Sequence, residues 1–195
     1  TAGNLVLFDT QTTGTTNVTT YSTAGSSNTS IRTGQANARW QSTNVNDRCY
    51  RVNGTEFVQV VTSLAVYAVG IAAPAAAPTT SIVAGGAGTL STGVTCSYAY
   101  INQGLQDVGQ CSAAGSSSGP TTGSHTLRNA VVASTQTGVD GIVIFLTQDG
   151  GSVRYLLTDV NGSPQIFANS TGNIDVSVAN IYYDLNVEET AFNGV

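Results

Sequence analysis

The chain has 195 residues, of which 9% are charged and 41% are hydrophobic; it contains neither Lys nor Met, and its formal net charge is −5. Ordinary soluble domains carry about 25% charged residues, so neutral side chains make up most of the polar surface here. The acidic balance disfavours a nucleic-acid partner, and no apolar stretch reaches the roughly 20 residues that cross a bilayer.

The first predicted strand is a short apolar segment near the N-terminus. Residues 10–30, which follow it, are nearly all Thr, Ser, Gly, Asn and Tyr, which indicates a mobile surface segment or a strand that orders only on assembly. We expect the apolar segment to add to a sheet edge of a neighbouring copy through main-chain hydrogen bonds; pairing within its own chain is the alternative. The candidates for this inter-subunit strand are Asn4, Leu5, Val6, Leu7 and Phe8.

The rest of the chain also has an all-β pattern. Runs of β-branched and aromatic residues, bounded by Gly, Asn or Asp, recur about every ten residues, and helical periodicity is almost absent. Further strands are predicted at Asp47–Val52, Glu56–Val61, Thr95–Asn102, His125–Ala133, Gly141–Gln148, Val153–Val160, Gln165–Ala168 and Asn180–Leu185.

A Pro/Ala segment divides the chain. Each Pro disfavours helix at the residue before it, so residues 71–78 are predicted to be an extended connector. It separates an N-terminal region, residues 1–70, from a larger domain, residues 79–195. A Ser/Gly tract, residues 112–124, is predicted to be a long loop within that domain.

Two of the predicted strands differ in their pattern of hydrophobic residues. Cys96, Tyr98 and Tyr100 alternate with smaller or polar residues, which indicates a strand with one face in the core. The run Ile142–Leu146 is wholly apolar. Such a run is typical of a strand that is buried on both faces, in the middle of a sandwich or under another subunit.

The three cysteines allow one disulfide. Cys96 and Cys111 are symmetric about Gln103-Gly104, so a hairpin that turns there places the two sulfurs on neighbouring strands. A Cys96–Cys111 disulfide is one interpretation, and two small buried thiols are the other. Cys49 is expected to be a buried thiol, and an intermolecular disulfide is the alternative.

Several segments of the second half carry a resemblance to a known family. They are GIAAPAAAP (Gly70–Pro78), AGGAG (Ala84–Gly88), SYAYIN (Ser97–Asn102), FLTQDGGSVRYLL (Phe145–Leu157) and IYYD (Ile181–Asp184). In their order and spacing they resemble the immunoglobulin-like or fibronectin-type-III-like β-sandwich modules of tailed-bacteriophage structural proteins and related viral or environmental sequences. Residues 46–57, with a turn at Asn53-Gly54, also look like the hairpin that often precedes such modules.

The resemblance implies a fold and a location. The expected fold is an immunoglobulin-like antiparallel β-sandwich, preceded by a small N-terminal region that contains a β-hairpin. The expected location is a virion or the cell exterior. Two features differ from the family: the strand 141–146 is wholly apolar where relatives place basic and polar residues, and the Ser/Gly tract replaces a more ordered loop. Both fit a module whose faces are covered.

The sequence offers little catalytic chemistry. His125 is the only His, and no nucleophile elbow, zinc-protease, phosphate-loop or Cys-x-x-Cys motif occurs. We therefore expect no enzyme activity, no catalytic residues, no cofactor and no metal. The segment Asp159–Ser163 is similar to the beginning of a calcium loop but lacks the later bidentate Glu, and a hairpin turn explains the same residues.

Two features of the sequence concern glycans: acceptor triplets for N-glycosylation and aromatic residues that could bind a sugar. Acceptor triplets for N-glycosylation begin at Asn17, Asn28, Asn53 and Asn169, although such triplets also arise by chance in a chain this rich in Asn, Ser and Thr. Trp40 is either a platform for a bound sugar or part of a small N-terminal core. Tyr182 and Tyr183 are consecutive, so at most one of them faces outward from a strand.

These observations predict a non-enzymatic structural protein. Low charge reduces long-range repulsion between copies, so we expect the chain to assemble with itself into an extracellular filament or a virion appendage such as a tail, fibre or capsid decoration. Other virion proteins or surface glycans are further possible partners. The alternative is an adhesin or carbohydrate-binding module at a fibre tip.

Overall fold

The chain folds almost entirely into antiparallel strands. The structure is a computed structural model, and it describes residues 4–10, 15–22, 27–36, 40–45, 48–53, 59–61, 66–105, 107–116, 118–120, 123 and 125–192. In that part of the chain the regular elements are strands and two short 3-10 turns, which confirms the prediction of an all-β protein. None of the described residues forms a helix long and apolar enough to cross a membrane. The chain divides into two compact units, Thr1–Val69 and Gly70–Val195.

The first unit contains two sheets. A three-stranded sheet has the order β1 (Asn4–Thr10), β2 (Thr15–Ser22), β3 (Ser27–Ala36). A four-stranded sheet follows in chain order, with β4 (Gln41–Val45), β5 (Arg48–Val52), β6 (Gln59–Val61) and β7 (Val66–Ala68). The β5–β6 pair is the counterpart of the predicted hairpin, although its turn residue Gly54 lies outside the described residues.

The N-terminal strand pairs with β2 of its own chain, which is the alternative that the sequence left open, and pairing of its other edge with a neighbouring copy stays a prediction. Asn4 lies opposite Ser22, and the ladder continues without interruption to Thr10 opposite Thr16. A short connection makes this local closure inexpensive in chain entropy. Of residues 10–30, the described part after Thr10 forms β2 and the beginning of β3, and residues 11–14 and 23–26 lie outside the described residues.

The second unit is a sandwich of two sheets. One has the order β10-β9-β12-β13-β16, with β14 also paired to β12, and the other has the order β15-β11-β8. Their bounds are β8 (Thr79–Ala84), β9 (Cys96–Asn102), β10 (Asp107–Val108), β11 (His125–Val131), β12 (Gly141–Thr147), β13 (Arg154–Thr158), β14 (Ile166–Ala168), β15 (Gly172–Ser177) and β16 (Tyr182–Glu188). The two 3-10 turns are Val178–Asn180 and Glu189–Phe192.

The central strand β12 is buried on both faces, as its apolar run predicts. Ile142, Ile144 and Leu146 face the main core together with Leu127 of the opposite sheet, and all four are fully buried. Val143 and Phe145 belong to a second apolar cluster on the outer face of the larger sheet. This chain itself covers both faces, and each fully buried side chain of this size contributes about 1.5–3 kcal/mol.

The predicted Pro/Ala connector packs on the second unit. Ile71, Pro74 and Pro78 are buried. The Gln136 side chain holds the beginning of the segment, because its Nε2 donates to the Gly70 carbonyl at 2.8 Å and its Oε1 accepts from the Ala72 amide at 3.0 Å. The unit boundary thus falls between Val69 and Gly70, and residues 71–78 belong to the sandwich.

Candidate functional site

His125 has a backbone carbonyl as the hydrogen-bond partner of its ring. It begins β11 and is half-buried. Its Nδ1 lies 2.6 Å from the Gly123 carbonyl, and since a carbonyl only accepts, Nδ1 must carry the proton. Within the described residues, no carboxylate or hydroxyl is hydrogen-bonded to the ring, so the arrangement lacks the nucleophile and orienting acid of a hydrolytic triad.

Asp149 is a clamp between two loops. It follows β12, and its carboxylate accepts from the backbone amides of Ser91, Thr92 and Gly93, at the end of the loop that leads to β9. These hydrogen bonds, that from Gly93 first, lower the pKa of Asp149 below its ordinary value. The carboxylate therefore stays ionised and holds the loop.

Asp159 forms the hairpin turn that was the alternative to a calcium loop. Its Oδ1 accepts from the amides of Asn161 and Ser163 at 2.8 and 2.9 Å, and its own amide donates to the Ser163 carbonyl. The Ser163 hydrogen bond is the main cause of a lowered pKa at Asp159. Gly162 takes the positive φ of +81° that this turn requires. In the described part of the chain, no cluster of three metal-ligating side chains occurs.

Two further carboxylates pair with the two arginines of the second unit. Arg128 and Asp175 form an exposed bidentate pair across β11 and β15, with distances of 2.8 and 2.6 Å. Arg154 of β13 pairs with Glu189, which is 3% exposed at the beginning of the last 3-10 turn. The pair fastens the chain after β16 to the sheet.

Cys96 is a buried thiol, as in the second of the two interpretations, and forms no disulfide with Cys111. The reason is the register of the hairpin. Ser112 donates to the Tyr98 carbonyl and Gly115 to that of Cys96, so the second arm has slipped by several residues relative to the predicted symmetry. The two side chains also lie in separate apolar clusters, Cys96 in the main core and Cys111 on the outer face. Burial raises the pKa of both thiols, that of Cys111 to about 12.

Trp40 has a partner that covers one face of its ring. The guanidinium carbon of Arg51 lies 4.0 Å from the ring centroid, and Arg51 is 1% exposed. A cation stacked on the indole stabilises the fold and leaves that face of the ring unavailable to a sugar. This geometry favours the interpretation of Trp40 as part of a small core.

The tyrosine pair divides between core and surface as expected. Tyr183 packs against the main core and donates from its hydroxyl to the Thr147 carbonyl at 2.8 Å. Tyr182 is 39% exposed.

Asn169, one of the glycosylation candidates, is engaged inside the fold. Its Nδ2 donates to the carbonyls of Ser134 and Val139, and its Oδ1 accepts from the Ser134 amide at 2.8 Å. The side chain thus ties the β11–β12 loop to the end of β14. Asn17 and Asn28 lie in β2 and β3, and Asn53 is half-buried after β5.

The outer face of the larger sheet has an apolar groove of about 380 Å³. Val143 and Phe145 of β12 form its floor. Ile101 and Val108 stand on one side, and Ile166 stands on the other. Gln103 supplies the polar side chain of the lining, which contains no charged residue.

Comparison of the chain with protein-family models, with curated proteins and with solved structures gives no match. The resemblance to the bacteriophage modules therefore stays a prediction.

Sequence reasoning missed the residues that hold loops together. Asp149-Gly150-Gly151 has the composition of a turn, but nothing in the sequence indicates that this carboxylate reaches Ser91–Gly93. Gln136 and Asn169 likewise give no local signal, because their partners lie far away along the chain.

Proposed function

We propose that this chain is a non-enzymatic structural subunit that assembles with copies of itself into an extracellular filament or a virion appendage. The observation that carries the proposal is the use of its ionised groups. Asp149, Asp159, Asp175 and Glu189 accept hydrogen bonds from backbone amides or arginines of the same unit. Carboxylates used in this way stabilise the fold of the unit that contains them.

Charge supports self-association. Only 9% of the residues are charged, so copies approach each other with little long-range repulsion. The sheets are open and end in edge strands, and an unprotected edge strand is a template for pairing with another chain. An appendage of many copies needs both properties.

The family resemblance supports the virion form of the proposal. It covers residues 70–195, which are the residues of the second unit. An immunoglobulin-like module in a tail, fibre or capsid decoration is consistent with a sandwich that is preceded by a separate β-rich unit.

Electron microscopy and sedimentation velocity of the full chain test the proposal. We expect ordered filaments or regular arrays above a threshold concentration, and the same assemblies with reductant and in Cys49→Ser, because the contacts are non-covalent. Dispersed monomers at every concentration would contradict self-assembly. Retention of such monomers on immobilised glycans, lost in Trp40→Ala or Tyr182→Ala, would support the adhesin alternative instead.

A further inference from the structure

Five strands in the second unit pair with a single neighbouring strand, and four of them are protected. β10 has only two residues and β14 has only three. β16 is interrupted by a register shift, because Tyr155 and Leu156 pair with Glu188 and Asp184. Shortness and bulges are the devices by which natural sheets prevent edge pairing.

β8 is protected by another segment of the chain. The Ser118 hydroxyl donates to the Thr80 carbonyl at 2.9 Å. A Cβ on Gly115 would lie 2.4 Å from the Pro78 carbonyl oxygen, so the chain between β10 and β11 runs alongside the beginning of β8. This segment therefore occupies the outer side of β8 at its beginning.

The remaining edge strand, β15, has none of these protections. It pairs with β11 over six residues without a register shift. It contains no Pro and no bulge, and its exposed residues Asn173 and Asp175 alternate with the buried Ile174 and Val176. A regular strand with one side unpaired is a template for another strand.

The backbone groups that point outward from β15 can be identified. Because the Thr80 carbonyl points away from β11 toward Ser118, Thr80 and its partner Asn129 form a non-hydrogen-bonded pair. Asn129 then points toward β15 and exchanges hydrogen bonds with Ile174. The alternation leaves the backbone groups of Asn173 and Asp175 facing outward, and no hydrogen bond from the described residues reaches them.

We propose that the outer edge of β15 binds the outer edge of β1 from a second copy. β1 is itself an edge strand of its sheet, has seven residues, and contains no Pro, Gly, Lys or Arg. The two edges lie in different units of the chain, so the contact is heterologous and can continue into an open filament, whereas β15 paired with itself stops at two copies. This inference rests on the proposed function and names the contact that would produce it.

Residue-resolved hydrogen exchange of the full chain, dispersed and assembled, tests the contact. We expect the amides of Asn173 and Asp175 to exchange fast in the dispersed chain and slowly in the assembly. The amides of Ile174 and Val176 should exchange slowly in both, because β11 already binds them. In β1, one alternating set of amides should gain protection on assembly.

The outcomes separate this inference from the proposed function. Assemblies in which Asn173 and Asp175 still exchange fast would overturn the β15 contact and leave self-assembly standing. Protection in β15 without protection in β1 would overturn β1 as the partner. Absence of any assembly would contradict both proposals.

A matched pair of variants provides a second test. Asn173→Pro removes an outward N–H and no hydrogen bond to β11, and Pro is tolerated on edge strands. Asn173→Ala keeps the N–H and removes the side chain. We expect Asn173→Pro to raise the concentration needed for assembly by about tenfold, the effect of one lost hydrogen bond, and Asn173→Ala to leave it unchanged. Equal assembly of the two variants, with unchanged circular dichroism, would overturn the proposal.

Discussion

Asp149 has the largest predicted effect of the exposed carboxylates. Asp149→Asn removes the charge from three hydrogen bonds to Ser91–Gly93, and we expect a loss of about 1 kcal/mol in the free energy of unfolding at pH 7, after allowance for solvent screening. Urea denaturation measures it. Glu188→Gln, which changes an exposed carboxylate near Thr190, is the control and should be neutral.

The same clamp gives a pH dependence with a defined sign. The folded pKa of Asp149 is lowered, so its contribution is present above the unfolded pKa of about 4 and is lost as the pH falls through the folded value. The difference between wild type and Asp149→Asn should therefore shrink below about pH 4. A difference that is constant between pH 7 and pH 2 would show that Asp149 acts through packing alone.

Individual residues were predicted well only where the cause is local. Asp159 and Gly162 form a hairpin turn that their own sequence indicates. The alternation of Tyr182 and Tyr183 likewise follows from strand geometry. The hydrogen bond between Asp149 and Gly93 forms because two loops that are distant along the chain pack together. No local sequence pattern indicates that packing.

At the scale of a whole element, the ion pair between Arg154 and Glu189 holds the last 3-10 turn on the sheet. Glu189→Gln leaves the Arg154 guanidinium without its charge partner, and breaking a buried pair typically costs about 3–5 kcal/mol. We expect a loss of about 3 kcal/mol in urea denaturation, with faster exchange of the amides of residues 186–192.

The exposed ion pair provides the comparison. Asp175→Asn removes the partner of Arg128 at a solvent-exposed position, where pairing energies are small. Its effect should be clearly smaller than that of Glu189→Gln. Equal losses in the two variants would mean that burial does not determine the strength of the Arg154–Glu189 pair.

Gly141 determines how closely β14 packs on β12. A Cβ there would lie 2.7 Å from Ile166 Cγ2 and 2.9 Å from Ile101 Cγ2. These methyl groups belong to stiff β-branched side chains, so we expect Gly141→Ala to cost about 1–3 kcal/mol. In a double-mutant cycle with Ile166→Ala, part of this loss should be recovered. Additive effects of the two substitutions would show that the strands move apart without strain.

The local sequence pattern predicted where strands lie, but it did not predict which residues of neighbouring strands pair. The apolar run of β12 correctly predicted burial on both faces. Cys96 and Cys111 do not lie opposite each other, because extra residues after Val108 shift the second arm relative to β9. Bulges of this kind leave no mark in hydrophobic periodicity. β15 was missed because Gly172, Asn173 and Asp175 have low strand propensity, and its pairing with β11 overrides that preference.

The division into two units was nearly correct from the sequence, but the role of the connector was not. The predicted boundary at residue 70 lies one residue from the observed one. Pro74 and Pro78 predict an extended chain, and an extended chain can equally well lie free or pack on a neighbour. Packing is decided by Ile71 and by Gln136, which is distant along the chain.

A pair of fragments tests this at the scale of the whole molecule. A fragment of residues 70–195 should fold alone and unfold at the temperature of the second unit in the full chain. A fragment of residues 79–195 loses the buried Ile71, worth about 2 kcal/mol, and both hydrogen bonds of Gln136, so it should unfold at a clearly lower temperature by circular dichroism. Ile71→Ala in the longer fragment should reproduce much of that decrease. Identical unfolding temperatures for the two fragments would show that the Pro/Ala segment is a connector without a stabilising contact.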